Sequence, residues 1–194
     1  MTTNVSKIDE LVDRFVEMAN REWVRPLPAD QVPEALRTHS AGESDRWFEW
    51  KIRASDSTPW VATFEERVGF SLPRPFRSLI SRYRFAEFTV GPISFFANTG
   101  VNLDGELSRA VFADKGIWPF LLKIGYIQFG RPAGGSYDPV CFDTTRGKNG
   151  DAPIVRIDHE GALIRNRLSV VENIAPSFAG FMESAFSGAF KPSR

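Results

Sequence analysis

Between Ser6 and Trp23 the apolar residues Ile8, Leu11, Val12, Phe15, Ala19 and Trp23 recur at helical spacing, with Asp9, Glu10, Asp13, Arg14 and Glu17 between them. Side chains three or four residues apart share a helix face, so this pattern predicts one amphipathic helix. From Arg25 to Asp45 the pattern fails. Pro26, Pro28 and Pro33 interrupt any continuous helix and a polar run follows from His39, so an extended connector is expected, with at most a short helix near Glu34 to Arg37. Residues 1–45 therefore read as an N-terminal helix with a Pro-rich connector, and residues 46–190 as the core domain. In the segment Arg46 to Ile52, Trp50 and Ile52 alternate with Glu49 and Lys51, the period of a half-buried strand. Ser57 or Thr58 then offers a helix N-cap and Pro59 suits a first turn; Trp60, Phe64 and Val68 mark one face, and Gly69 supplies the stop. Leu72 and Pro73 restart the pattern for a second helix with Phe76, Leu79, Ile80 and Tyr83 on its apolar face.

Beyond Arg84 the period shortens. Phe88 to Val90, Ile93 to Phe96, Tyr126 to Phe129, Val140 to Asp143 and Ile154 to Asp158 read as short strands separated by Gly, Pro, Asn and Asp clusters. Turns are expected at Ala133-Gly134-Gly135-Ser136 and at Arg146-Gly147-Lys148-Asn149-Gly150-Asp151, and Asp158-His159-Glu160-Gly161 reads as a solvated hairpin tip. Pro176 opens a last helix with Phe178, Phe181, Met182, Ala185 and Phe186 on one face. Helices, then a strand meander, then a closing helix is the order of an α+β domain, not of alternating βαβ units.

Composition adds an aromatic-rich core: hydrophobic residues make up 42% of the 194, with 17 Phe and 5 Trp. A chain of this length buries roughly 70% of its unfolded surface. Lys and Arg total 24 and so do Asp and Glu, leaving no global field to gather nucleic acid or anionic lipid, so neither is expected as a direct partner. With one cysteine, Cys141, and no cationic start leading into an apolar run, the expected compartment is the cytoplasm.

Candidate chemistry is sparse. Asp138, Asp143, Asp158, His159 and Glu160 could form an acid/base or metal site, and a hydrolase built on them is the remotest of three readings. The competing assignment has Asp138 and Asp143 capping backbone amides at strand ends. His39 and His159 are the only histidines and neither sits in a nucleophile signature, while Cys141 between Val140 and Phe142 reads as a small packing residue. Gly130 to Ser136 lacks the Lys-Ser/Thr ending of a phosphate loop, and Pro132 removes an amide donor. No catalytic residue, metal or cofactor is expected, and the chain is not expected to be an enzyme. Arg74, Arg77, Arg82 and Arg84 make a basic stripe, read first as a solvated helix face and second as a surface for an acidic partner. Trp47 is ambiguous between core and surface, and Tyr137-Asp138 beside a glycine turn is a better surface candidate.

The segment Phe64-Glu65-Glu66-Arg67-Val68-Gly69-Phe70-Ser71-Leu72-Pro73, followed by Phe76 and Leu79, resembles the opening of SUKH-superfamily domains of the SMI/KNR type. Ile127-Gln128-Phe129-Gly130, Val140-Cys141-Phe142-Asp143-Thr144, Pro153 to Glu160 and Ile174-Ala175-Pro176-Ser177-Phe178 follow in the family order. The residues carrying the likeness, chiefly Phe64, Glu65, Gly69, Leu72, Pro73, Phe76, Gly130, Phe142, Asp143 and Phe178, are mainly fold-making. Two departures stand out: the N-terminal extension, and Arg131-Pro132-Ala133-Gly134-Gly135 in place of an acidic turn. The resemblance implies a curved, mostly antiparallel sheet with helices against it, used to bind a protein. In bacterial members that protein is a polymorphic toxin, often a nuclease or deaminase, which the immunity protein occludes. A regulatory or scaffold domain whose extension adds contacts is the alternative. The expected contact surface comprises Trp47, Arg131, Tyr137, Asp138, Asp143, Asp158 and His159.

Overall fold

A computed structural model describes residues 6–40, 46–55, 60–100, 105–165 and 167–190. Helix α1 spans Lys7–Glu22; Ser6 caps it by accepting the Asp9 N–H at 3.2 Å. Val12, Phe15 and Ala19, at the centre of its apolar face, are fully buried. Part of its polar face is tied to the rest of the fold: Asp9 accepts the Ser78 hydroxyl at 2.6 Å, Asp13 accepts the Tyr83 hydroxyl at 2.6 Å, and Arg82 pairs with Asp13 at 2.7 Å.

The Pro-rich connector carries more structure than its composition predicts. Strands β1 (Leu27–Pro28), β2 (Arg37–Ser40) and β3 (Trp47–Trp50) form a three-stranded antiparallel sheet with β3 in the middle, and two short 3-10 turns lie between β1 and β2. Arg37 makes this possible. Its guanidinium donates to the carbonyls of Val32 (2.9 Å) and Ala29 (2.7 Å) and lies over the Phe48 ring at 4.3 Å, standing in for ladder bonds that the prolines cannot donate. The Trp50 indole donates to the Arg25 carbonyl, and the Asn20 amide bonds the Ile52 backbone in both directions.

After β4 (Arg53–Ala54), helices α2 (Trp60–Val68) and α3 (Arg74–Arg82) form the expected hairpin; the proposed cap at Ser57 or Thr58 and Pro59 lies outside the described residues. Glu65 closes the turn by accepting the Leu72 N–H at 2.8 Å, with Arg77 3.4 Å from its carboxylate. Tyr83, expected on α3, instead begins β5 (Tyr83–Arg84), which pairs with β4. Of the basic stripe, Arg82 pairs with α1 and Arg84 is buried with its guanidinium on the carbonyls of Ile80 and Tyr83, while Arg74 and Arg77, the latter beside Glu65, stay exposed.

Strands β6 (Phe88–Val90), β7 (Ile93–Phe95), β8 (Tyr126–Pro132), β9 (Val140–Asp143), β10 (Ile154–Ile157) and β11 (Val170–Ala175) form a six-stranded antiparallel meander in chain order. Helices α4 (Glu106–Val111) and α5 (Trp118–Lys123) lie between β7 and β8, α6 (His159–Arg165) between β10 and β11, and α7 (Phe178–Phe186) after β11. One sheet face contributes Phe95, Phe129 and Phe142 to the main core, where α1, α3 and α7 add Phe15, Phe76 and Phe178. The other face carries Cys141, Val155 and Ile157 under Ile117 and Leu121 of the α5 region and Ala162 of α6. Cys141 thus packs on the face opposite Phe142, and burial raises its thiol well above the ordinary range.

Residues 158–161 are not a hairpin tip: they start α6. Asp158 accepts the Gly161 N–H at 3.0 Å as a helix cap does, and burying Ala162 over the sheet holds the turn in helical form. The turn at 148–151 is as expected, with Asn149 and Gly150 both at positive φ. Asp151, at its end, then accepts the N–H groups of Phe178 and Ala179, so the hairpin caps α7.

Candidate functional site

The loop joining β8 to β9, the start of α6 and the turn before α5 meet at one end of the sheet. A bulge between Gln128 and Gly130 places Arg131 there. Strict alternation would put residue 131 on the core face with Ile127 and Phe129; the bulge reverses the alternation, so Pro132 faces inward and Arg131 lies outward opposite Ser94. Gly130 permits this because a Cβ at that position would run into the Ser94 carbonyl oxygen.

Arg131 lies over Tyr137 at 5.9 Å and over Phe96 at 5.7 Å from the ring centroids. Tyr137 is 69% exposed, and its ring lies 6.0 Å from that of His159. Asp138 anchors the group underneath: one oxygen accepts the His159 backbone N–H at 3.1 Å, and the other lies 3.6 Å from Arg156, which also pairs with Glu172 at 3.4 Å. The His159 ring stands 3.4 Å from the Asp114 carboxylate. The result is a solvent-facing aromatic and guanidinium pair on a frame of hydrogen bonds and ion pairs, an arrangement suited to anchoring a macromolecular partner. Phe96 also lines a cleft of about 440 Å³ with Glu87 and Glu106. Burial opposes ionisation of Glu106, but the Thr99 hydroxyl, backbone N–H groups and the charge of Arg109 together outweigh it and hold the carboxyl below its ordinary range.

Four of the seven expected contact residues, Arg131, Tyr137, Asp138 and His159, are therefore neighbours. Asp158 lies beneath them as the α6 cap. Trp47 is 48% exposed but sits on β3 in the separate small sheet. Asp143 corrects the sequence reading: it is 2% exposed and at the far end of β9, roughly 10 Å along the strand from the loop that carries Asp138. Its carboxylate accepts the Thr145 N–H and hydroxyl and the Arg146 N–H and Nε, fastening the 3-10 turn that follows β9. The acidic cluster considered for hydrolysis is thus divided between the two ends of β9.

Burial pushes the Asp143 carboxyl up, but the hydrogen bonds from Thr145 and Arg146 outweigh it, so the folded-state value lies below the ordinary one. A depressed folded-state value means that the stabilisation is present above the unfolded Asp value of ~3.9 and is lost as pH falls through the folded one. Asp143→Asn is expected to cost about 2 kcal/mol at neutral pH and to flatten the acid limb of stability below pH ~4, read by urea unfolding across pH. An unchanged acid limb would show that Asp143 does not supply it.

The sequence reading missed Asp114, Arg156 and Phe96, which complete the group only through tertiary contacts. Among the described residues no group of three or more His, Cys, Asp or Glu side chains is placed to hold a metal ion, and no helix is long and apolar enough to cross a membrane. No protein-family model matches the chain and no curated protein matches it, so the resemblance described above stands on its motifs.

Proposed function

We propose that this chain is a protein-binding module whose contact face centres on Tyr137 and Arg131, and that it acts as an immunity protein occluding a toxin of the nuclease or deaminase class. The exposed Tyr137 ring beside the Arg131 guanidinium supports the binding role most directly. Tyr and Arg dominate binding hot spots because each buries a large, pre-organised surface around a polar tip. The toxin version draws on the order of the family-like motifs. Its mechanism is steric: a preformed loop and sheet edge burying about 1,600 Å² in total closes the partner's cleft without chemistry of its own.

Co-expression with the product of the adjacent upstream gene is expected to yield a complex that copurifies and to abolish that product's toxicity. Toxicity persisting in excess of this protein would sink the immunity version. In the Tyr137→Ala and Arg131→Ala double variant, affinity is expected to fall by about 2 kcal/mol, roughly thirtyfold in Kd, with the thermal midpoint unchanged. Equal affinity would place the contact face elsewhere.

A further inference from the structure

We infer that the outer surface of α5 and α6 is a docking site for an acidic partner segment that carries large apolar anchors. The inference extends the Tyr137 face and rests on the reading that the ligand is a protein. Phe120 and Ile124, one helical turn apart, are each 41% exposed; Leu163 and Ile164 are 46% and 77% exposed. The two pairs stand on elements that pack against each other. Ile117 and Leu121 pack with Ala162 beneath them, and Gly116 approaches Leu163 so closely that a Cβ there would lie 2.9 Å from the Leu163 side chain. Four large apolar side chains at one site are more than scattered surface hydrophobics, which need no explanation.

Charge selects the occupant. Lys115, Lys123, Arg165 and Arg167 are exposed around this surface, and among the described residues none of them forms an ion pair. Against them stand Glu160 and Asp114, and the latter already faces His159. The surface is therefore locally basic on a chain whose charges balance at 24 and 24. A second copy of the chain would bring cations against cations, which costs association energy. An anionic bilayer would meet Asp114, Asp138 and Glu160 along the edge that joins this surface to Tyr137. A segment with Leu, Ile, Phe or Trp anchors flanked by Asp or Glu satisfies both the apolar strip and the cations.

The test is selection of phage-displayed random peptides on the immobilised full chain, followed by affinity measurement on Ile164→Asp, Lys123→Glu and Tyr137→Ala chains. All three positions are exposed, and a matched thermal midpoint checks folding. Enriched peptides are expected to be acidic with large apolar anchors, and to lose at least about tenfold affinity on the Ile164→Asp and Lys123→Glu chains. Salt is expected to weaken their binding. Enrichment of basic or neutral peptides overturns the inference. So does concentration-dependent dimerisation abolished by Ile164→Asp, or sedimentation with phosphatidylserine vesicles. Peptides lost on Tyr137→Ala but indifferent to Ile164→Asp leave the Tyr137 face standing and remove this surface. Peptides lost on Ile164→Asp but indifferent to Tyr137→Ala do the reverse.

Discussion

Removal of residues 1–45 is expected to leave a chain with no cooperative unfolding transition. Helix α1 and its C-cap Trp23 place Val12, Phe15, Val16, Met18, Ala19 and the Trp23 ring in the same core cluster as Phe95, Phe178 and Phe181, and the Phe15 ring lies 6.2 to 6.5 Å from those three rings. At about 1.5–3 kcal/mol for each large buried side chain, the loss is on the order of 10 kcal/mol, as large as the whole stability of an ordinary domain. The deletion also removes Asp9 and Asp13, the acceptors for Ser78, Tyr83 and Arg82. Burial, reinforced by the hydrogen bond to Asp13, pushes the Tyr83 phenol up to about 12, so it stays a donor throughout the physiological range. Near-ultraviolet circular dichroism and urea titration of the truncated chain check the outcome. A sharp transition close to the full-length midpoint would mean that the helix is an appendage and the core closes without it.

Phe178→Ala should cost about 3–5 kcal/mol, the largest loss expected from a single side chain in this fold. Phe178 is fully buried, and its ring centre lies 5.5 Å from those of Phe76 and Phe142, 6.0 Å from Phe129, 6.1 Å from Phe95, 6.2 Å from Phe181 and 6.5 Å from Phe15. It touches α1, α3, α7 and three adjacent strands at once. Phe95, Phe129 and Phe142 are held at strand spacing by ladder hydrogen bonds, so they cannot close on the vacated volume, and most of the cavity term survives. Phe186→Ala on the same helix is the control: its ring is only half-buried, under the Arg14 guanidinium at 4.7 Å, so a smaller loss is expected. Urea midpoints at constant slope measure both. A Phe178→Ala cost below about 1 kcal/mol would mean that the core repacks around the gap.

The long helices and inner strands were legible because their information is local. The three-to-four-residue recurrence of Val12, Phe15 and Ala19 predicts a buried helix face, and Lys7–Glu22 forms it. Val140 to Asp143 and the turn at Asn149-Gly150 likewise follow from short-range patterning and from residues that accept positive φ. Residues 158–161 misled because an Asp followed by polar residues and Gly has the same composition in a hairpin tip and in a capped helix start. What separates them is Ala162, which counts toward a helix only if a sheet face lies beneath it. Helices α4 and α5, each six residues, are too short to show a period. Strand β11 is mostly exposed and shows no alternation to read.

The sequence by itself determined the fold class, the aromatic core, the helix hairpin and the central strands, because propensity, capping and hydrophobic period act within a few residues. Tertiary structure alone decided which polar residues remain available for function. Asp143 and Arg82 carry the same charge in the sequence as Asp114 and Arg131, yet the first two are spent on internal hydrogen bonds and the last two reach the surface. The bulge before Gly130 turns Arg131 outward, and packing of α6 on the sheet brings His159 beside Tyr137 from 22 positions along the chain. A partner-binding face is a property of exposure and neighbourhood, and neither exists until distant segments have packed.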